Sequence, residues 1–203
     1  MSDTSGVVIS AAVEGIVDEA VIRRLIAHAG AASDAVYGRQ GKRHLRQRIL
    51  GYNEAARRTP WVVLVDLDND NCAPPLRDAW IPVPPAPGLC FRVAVREVEA
   101  WLIADADGLS QFLHVARTRV PRDPEALVDP KNAMVNLARA SRLWDLREDM
   151  VPHQHSGREV GRAYSSRLIE FASSSWSPEV GSRHSDSLRR AIECLQRLVE
   201  NAG

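Results

Sequence analysis

Apolar residues in this chain fall into two patterns, short unbroken runs and stripes at helical spacing. Val7 to Val13 is a run of β-branched and small side chains that ends at Glu14-Gly15, where a turn is easy. It predicts a first strand. From Asp18 to Ala29 the positions Val21, Ile22, Leu25, Ile26 and Ala29 recur at helical spacing, with Asp18 and Glu19 in the first turn, where the helix dipole favours acids. Strand, acidic turn and helix make a βα unit. After Gly30 the pattern lapses, predicting a loop, and a helix follows from Lys42 to Arg57 with its stripe at Leu45, Ile49, Tyr52 and Ala56. Trp61 to Val65 is uninterrupted apolar sequence, the mark of a strand buried on both faces in a parallel sheet. Asp66 closes its carboxyl end.

Between Cys72 and Gly88 six prolines predict an irregular connection near the strand ends. Phe91 to Val95 reads as a third strand, and Glu97 to Ala104 as a helix whose Val98, Trp101 and Leu102 face the sheet. Beyond Asp107 the pattern is helical, over 109–116, 130–140, 159–172 and 185–199, with loops at 119–130 and 173–187. The last helix is the clearest, with Leu188, Ile192, Leu195 and Val199 on one face. Trp101 and Trp144 read as core residues rather than stacking platforms. The expected fold is α/β, a small parallel sheet flanked by helices with a C-terminal helical extension. Residues 1–110 form the metal-binding core and 111–203 a helical extension packed on it, one structural unit of a size that buries a real core.

Charge changes this picture by its distribution. The totals balance at 26 basic and 26 acidic residues, so no overall basic field holds nucleic acid or a membrane surface. Residues 61 to 110, however, carry eight acids against three arginines, between mildly basic flanks. Three widely spaced cysteines, Cys72, Cys90 and Cys194, form neither a disulfide framework nor a zinc pattern, which points to a reducing cytosol. No signal peptide or membrane-length apolar run is present, so a cytoplasmic protein with no membrane association is expected.

The candidate chemistry lies at the strand ends. Strands that pair in parallel bring their carboxyl ends to one edge, so Glu14, the triplet Asp66, Asp68 and Asp70, and Glu97 can converge there. Clustered carboxylates without thiolates suit Mg²⁺ or Mn²⁺. Asp70 and Asn71 also fit a turn that caps its own backbone. A calcium EF-hand loop counted from Asp66 fails, because it needs Gly and Glu where this chain has Asn71 and Arg77. The spacing of Asp66 and Asp68 also permits a haloacid dehalogenase-like phosphatase, in which the first Asp attacks phosphorus. No later strand ending in paired aspartates supports that alternative.

Taken in order, VEGIVDE, VDLDND and REVEAWLIAD resemble a Toprim domain, the fold shared by topoisomerase, primase and overcoming-lysogenization-defect nucleases. More narrowly, residues 7 to 200 resemble small Toprim-like proteins found beside an ABC-type ATPase in bacterial anti-phage and abortive-infection systems. The resemblance implies metal ligation or acid/base work for Glu14, metal ligation for Asp66 and Asp68, and paired glutamates at Glu97 and Glu99. Two residues apart on a helix, Glu97 and Glu99 would not share a face, so Glu97 is the expected ligand. Lys131 falls where relatives carry a lysine segment, and its ammonium can neutralise a phosphate, although it fits a solvated lysine at a helix start equally well. His153-Gln154-His155 departs from the Tyr-x-Lys of relatives, and reads as a solvated loop pair more readily than as a metal site.

The resemblance implies Mg²⁺-dependent phosphodiester hydrolysis of DNA or RNA, under control of an ATPase partner, since this chain has no P-loop. Arg39, Lys42, Arg43, Arg46, Arg48, Arg57 and Arg58 form a basic stretch able to track a nucleic-acid backbone. A phosphatase, or a Toprim-shaped regulatory partner of an ATPase that cleaves nothing, is the alternative expectation.

Overall fold

The computed structural model describes residues 6–68, 70, 72–81 and 84–202. In chain order the elements are β1 (Val8–Val13), α1 (Ile16–His28), β2 (Ala32–Gly38), α2 (Lys42–Ala55), β3 (Trp61–Asp66), α3 (Ala73–Trp80), β4 (Leu89–Ala94), α4 (Val98–Ala104) and α5 (Ala106–Phe112). The helices α6 (Pro130–Arg139), α7 (Trp144–Met150), α8 (Tyr164–Ser174), α9 (Pro178–Ser182) and α10 (Asp186–Ala202) follow, with short 3₁₀ turns at Arg117–Arg119 and Pro124–Ala126. The strands form one parallel sheet in the order β2-β1-β3-β4. The protein is therefore α/β, a four-stranded parallel sheet flanked by helices.

Three helices or strands stand where loops are expected: β2 after Gly30, α3 in the proline-rich connection and α9 within 173–187. β2 was hidden because most of its side chains are exposed: Val36 is its single buried residue, so no apolar run marks it, whereas β4, at the other edge of the sheet, is covered. It ends at Gly38, whose φ is +89° and whose added Cβ would collide with the Val13 carbonyl oxygen, so only glycine lets the chain pass this close to the end of β1. The proline-rich connection contains α3, with Pro74 and Pro75 in the first turn, where a missing N–H costs nothing. Trp80 then packs on Phe91 of β4, ring centroids 5.8 Å apart. α7 is a further short helix without a sequence signal, and Trp144 at its start is 64% exposed, against the expected core position.

Alternate residues of β1, β3 and β4 feed two apolar clusters. Ile9, Ala11, Val13, Val62, Leu64, Cys90 and Ala94 meet α1, α4, α8 and α10 on one face. Ala12, Val63, Val65, Phe91 and Val93 meet α2 and α3 on the other. Trp101 and Trp176 are fully buried in the first cluster, each contributing about 2–3 kcal/mol of transfer free energy. Helices later than residue 111 thus share a core with the sheet.

Cys90 of β4 and Cys194 of α10 are disulfide-bonded, their Cα atoms 6.1 Å apart, which corrects the reading of three unpaired cysteines. A separation of 104 residues carries no pairing signal; the sheet does, by turning Cys90 inward under α10. Cys72 is free and exposed. The cysteine pattern accordingly no longer argues for a reducing compartment. Among the described residues no helix is long and apolar enough to cross a membrane.

Candidate metal centre

β1 and β3 are neighbours, so the residues that follow them meet at the carboxyl edge of the sheet. Glu14 Oε1 accepts the Asp66 backbone N–H at 3.0 Å. Asp66 Oδ1 in turn accepts the Val98 N–H at 3.0 Å, at the start of α4. Two left-handed residues brace the loop beyond: Asp68 (φ +52°) donates its N–H to the Arg96 carbonyl at 2.7 Å, and Arg96 (φ +66°) returns a guanidinium bond to the Asp68 carbonyl at 3.2 Å. These non-glycine residues with positive φ store local strain at the sheet edge and hold the Asp68 carboxylate out toward solvent.

Asp18, in the first turn of α1, joins the cluster, although its sequence position reads as a dipole-compensating residue. It is 6% exposed, and its Oδ1 is buried without a hydrogen-bond partner. The signal that could have found it is its place four residues after Glu14 in VEGIVDE. Glu99 is 4% exposed and accepts the Tyr164 hydroxyl at 3.2 Å. Glu97 accepts both the Lys131 ammonium and the Lys131 backbone N–H at 3.1 Å.

Glu97 thus turns to Lys131 and Glu99 to Tyr164, while the charge of Glu99 bears on Asp66. Glu97 is the extended residue before α4, so helical spacing does not separate the pair.

Burial pushes the Glu14 carboxyl up to about 7, with neighbouring Asp18 and Asp68 adding to the rise. Burial likewise raises Asp18 to about 6 and Glu99 to about 7. Asp66 is raised well above the carboxylate range by burial, then by Asp18, Glu99 and Glu14. Burial works against the charge of Lys131, but Glu99 and Glu97 outweigh it and hold the ammonium up to about 12. Lys42 is also raised, its burial outweighed by Asp68; Nζ meets the Asp66 carbonyl at 2.7 Å, Asp68 at 2.8 Å and Asp70 at 3.3 Å. Four acids that resist ionising together, with two ammonium groups drawn to them, describe a site of unmet negative charge.

Among the described residues no three His, Cys, Asp or Glu side chains are already gathered to hold a metal ion. The donor set nonetheless fits a hard cation: carboxylate oxygens only, one of them the buried, unpartnered Asp18 Oδ1. Glu14, Asp18, Asp66 and Asp68 are the residues that would hold it. Asp70 stays outside, exposed, with its N–H bonded to the Leu67 carbonyl in a turn; Asn71 lies outside the described residues. His153 is exposed beside Glu148 and His155 is exposed with φ +63°, and neither enters the cluster.

Two depressions flank the carboxylates. One, of about 460 Å³, is lined by Asp68, Arg96, Glu97, Asp129, Lys131 and Glu159. The other, of about 650 Å³, runs between α2 and α3 with Lys42, Arg43 and Arg46 on one wall and Pro75, Leu76 and Trp80 on the other. Comparison with protein-family models, with curated proteins and with solved structures gives no match.

Proposed function

We propose that this chain is a Mg²⁺- or Mn²⁺-dependent nuclease of the Toprim type, acting as the effector of an ATPase-controlled bacterial phage-defence system. The observation that carries the reading is the convergence of Glu14, Asp18, Asp66 and Asp68 at the carboxyl edge of a parallel sheet, with one buried carboxylate oxygen unpartnered. The ATPase partner rests on the motif resemblance, and the chain itself has no nucleotide-binding P-loop.

A bound divalent cation would supply Lewis acidity at a phosphate oxygen and lower the pKa of an attacking water. The protein groups do the rest. Glu14, fixed at the sheet edge by the Asp66 N–H, is placed to hold the cation or to move a proton. Lys131 and Lys42 place ammonium charge at two sides of the carboxylates, where a phosphodiester needs its charge neutralised. Arg43 and Arg46, in the α2–α3 groove that Lys42 and Asp70 connect to the site, give the nucleic-acid backbone a path away from it.

The test is hydrolysis of single-stranded and duplex DNA and RNA with Mg²⁺ or Mn²⁺, alone and with any ABC-type ATPase that a neighbouring reading frame encodes. Wild type is expected to cleave, and Glu14→Ala and Asp68→Ala to be inactive while still folded. Calorimetric titration with Mn²⁺ supplies a readout independent of turnover. Metal binding without cleavage under any condition would favour a regulatory partner, and a trapped phospho-Asp66 would favour a phosphatase.

A further inference from the structure

Arg92 lies in the middle of β4, between Cys90 and Ala94 of the strand face covered by α10. α10 is fastened across this strand at two points. Cys194 is bonded to Cys90, and Ser187 Oγ accepts the Val95 N–H at 3.2 Å. Between them the Arg92 guanidinium has a buried Nε without a hydrogen-bond partner. Burial lowers its basicity, and Arg197, Arg190 and Arg77 lower it further, outweighing the opposing charge of Glu193.

A cavity of about 200 Å³ opens beside Arg92, its polar lining made by Arg77, Glu125, Asp186, Ser187 and Arg190. The acids in it are already engaged. Glu125 Oε1 accepts Ser185 Oγ at 2.6 Å, Ser187 N at 2.9 Å and Ser187 Oγ at 2.6 Å. Asp186 is taken by Arg189 and by Arg190, the latter at 2.8 Å. Arg77 pairs with Asp78 at 2.8 Å, whereas Arg92, partly buried and with its Nε fully so, has no hydrogen-bond or ion-pair partner among the described residues, which leaves it the cation open to a counter-ion.

We propose that this niche binds a tetrahedral oxyanion, the phosphoryl group of a ligand, with Arg92 as its central donor and Arg77 and Arg190 at its rim. Guanidinium groups on β4, α3 and α10 approach from different elements, which suits four oxygens in a tetrahedron better than a planar carboxylate. The site is separate from the carboxylate cluster and does not depend on the nuclease reading.

The experiment uses the full chain in EDTA, with inorganic phosphate as the probe and acetate at matched ionic strength as the control, followed by calorimetry and thermal melting. Phosphate is expected to bind and to raise the melting temperature, and acetate to do neither. Arg92→Leu should melt at or above wild type without phosphate, because an uncompensated charge is gone, and should bind phosphate on the order of tenfold or more weakly. Arg77→Ala and Arg190→Ala weaken binding at the rim and serve if the Arg92 variant does not fold. A wild type indifferent to millimolar phosphate, an equal response to acetate, or an undiminished response in Arg92→Leu would each overturn the proposal.

Discussion

Replacing Asp18 by Asn removes one negative charge from the buried cluster and leaves its shape almost unchanged. The Asp18 carboxyl is raised from 3.8 to about 6, chiefly by burial, and one pKa unit corresponds to 1.36 kcal/mol. Ionising it in the folded state therefore costs about 3 kcal/mol, and an amide recovers about 1–3 kcal/mol of this at pH 7.5. The folded-state pKa lies above the unfolded one, so the wild type loses stability as pH rises from about 4 through about 6, and the variant does not lose this part. Thermal melts in EDTA should accordingly show a small difference at pH 4.5 and the variant ahead at pH 7.5, with the melting temperature up by about 2–4 °C for each kcal/mol. Adding Mg²⁺ should reverse the order, since the wild type keeps the donor that the variant has lost. Equal destabilisation of the variant at both pH values, or undiminished stabilisation of it by Mg²⁺, would refute the reasoning.

Charge reversal at Arg43 and Arg46 should weaken nucleic-acid binding and reduce the slope of log affinity against log salt by about two, read by fluorescence anisotropy over a salt series. An unchanged slope removes α2 from the interface. Cys194→Ser should lower the stability of the oxidised protein by about 2–4 kcal/mol, and thiol titration of denatured wild type should find Cys72 alone; three reactive thiols would contradict the pairing. Tyr164→Phe takes the hydroxyl donor from buried Glu99 and should cost about 1–3 kcal/mol at neutral pH, whereas a change within about 0.5 kcal/mol would mean that the bond contributes nothing.

What the sequence made legible followed from burial. Val7–Val13, Trp61–Val65 and Phe91–Val95 are buried strands, so their apolar runs announce them, and the acids after them mark the sheet edge. β2 carries no such run because most of its side chains stay exposed, whereas β4, the other edge strand, is covered by α10 and α3. α3 hid behind prolines that a first helical turn tolerates. In the site, residues next to strand ends were readable because chain order places them there. Lys42, Arg96, Tyr164 and the buried role of Asp18 depend on which helix crosses which strand, and the spacing along the chain does not encode that.

The two fastenings of α10 on β4 also set an order of events during synthesis. All four strands, with Glu14, Asp66 and Asp68, leave the ribosome before Ser187 and Cys194 exist. At ordinary elongation rates the apolar face of β4 waits on the order of ten seconds for its cover, and Lys131 and Tyr164 also arrive within that interval. A nascent chain thus holds its carboxylates and Lys42 long before it holds Lys131 and Tyr164, and an early-terminated product would expose Cys90 and Arg92 to whatever the cell offers in place of α10.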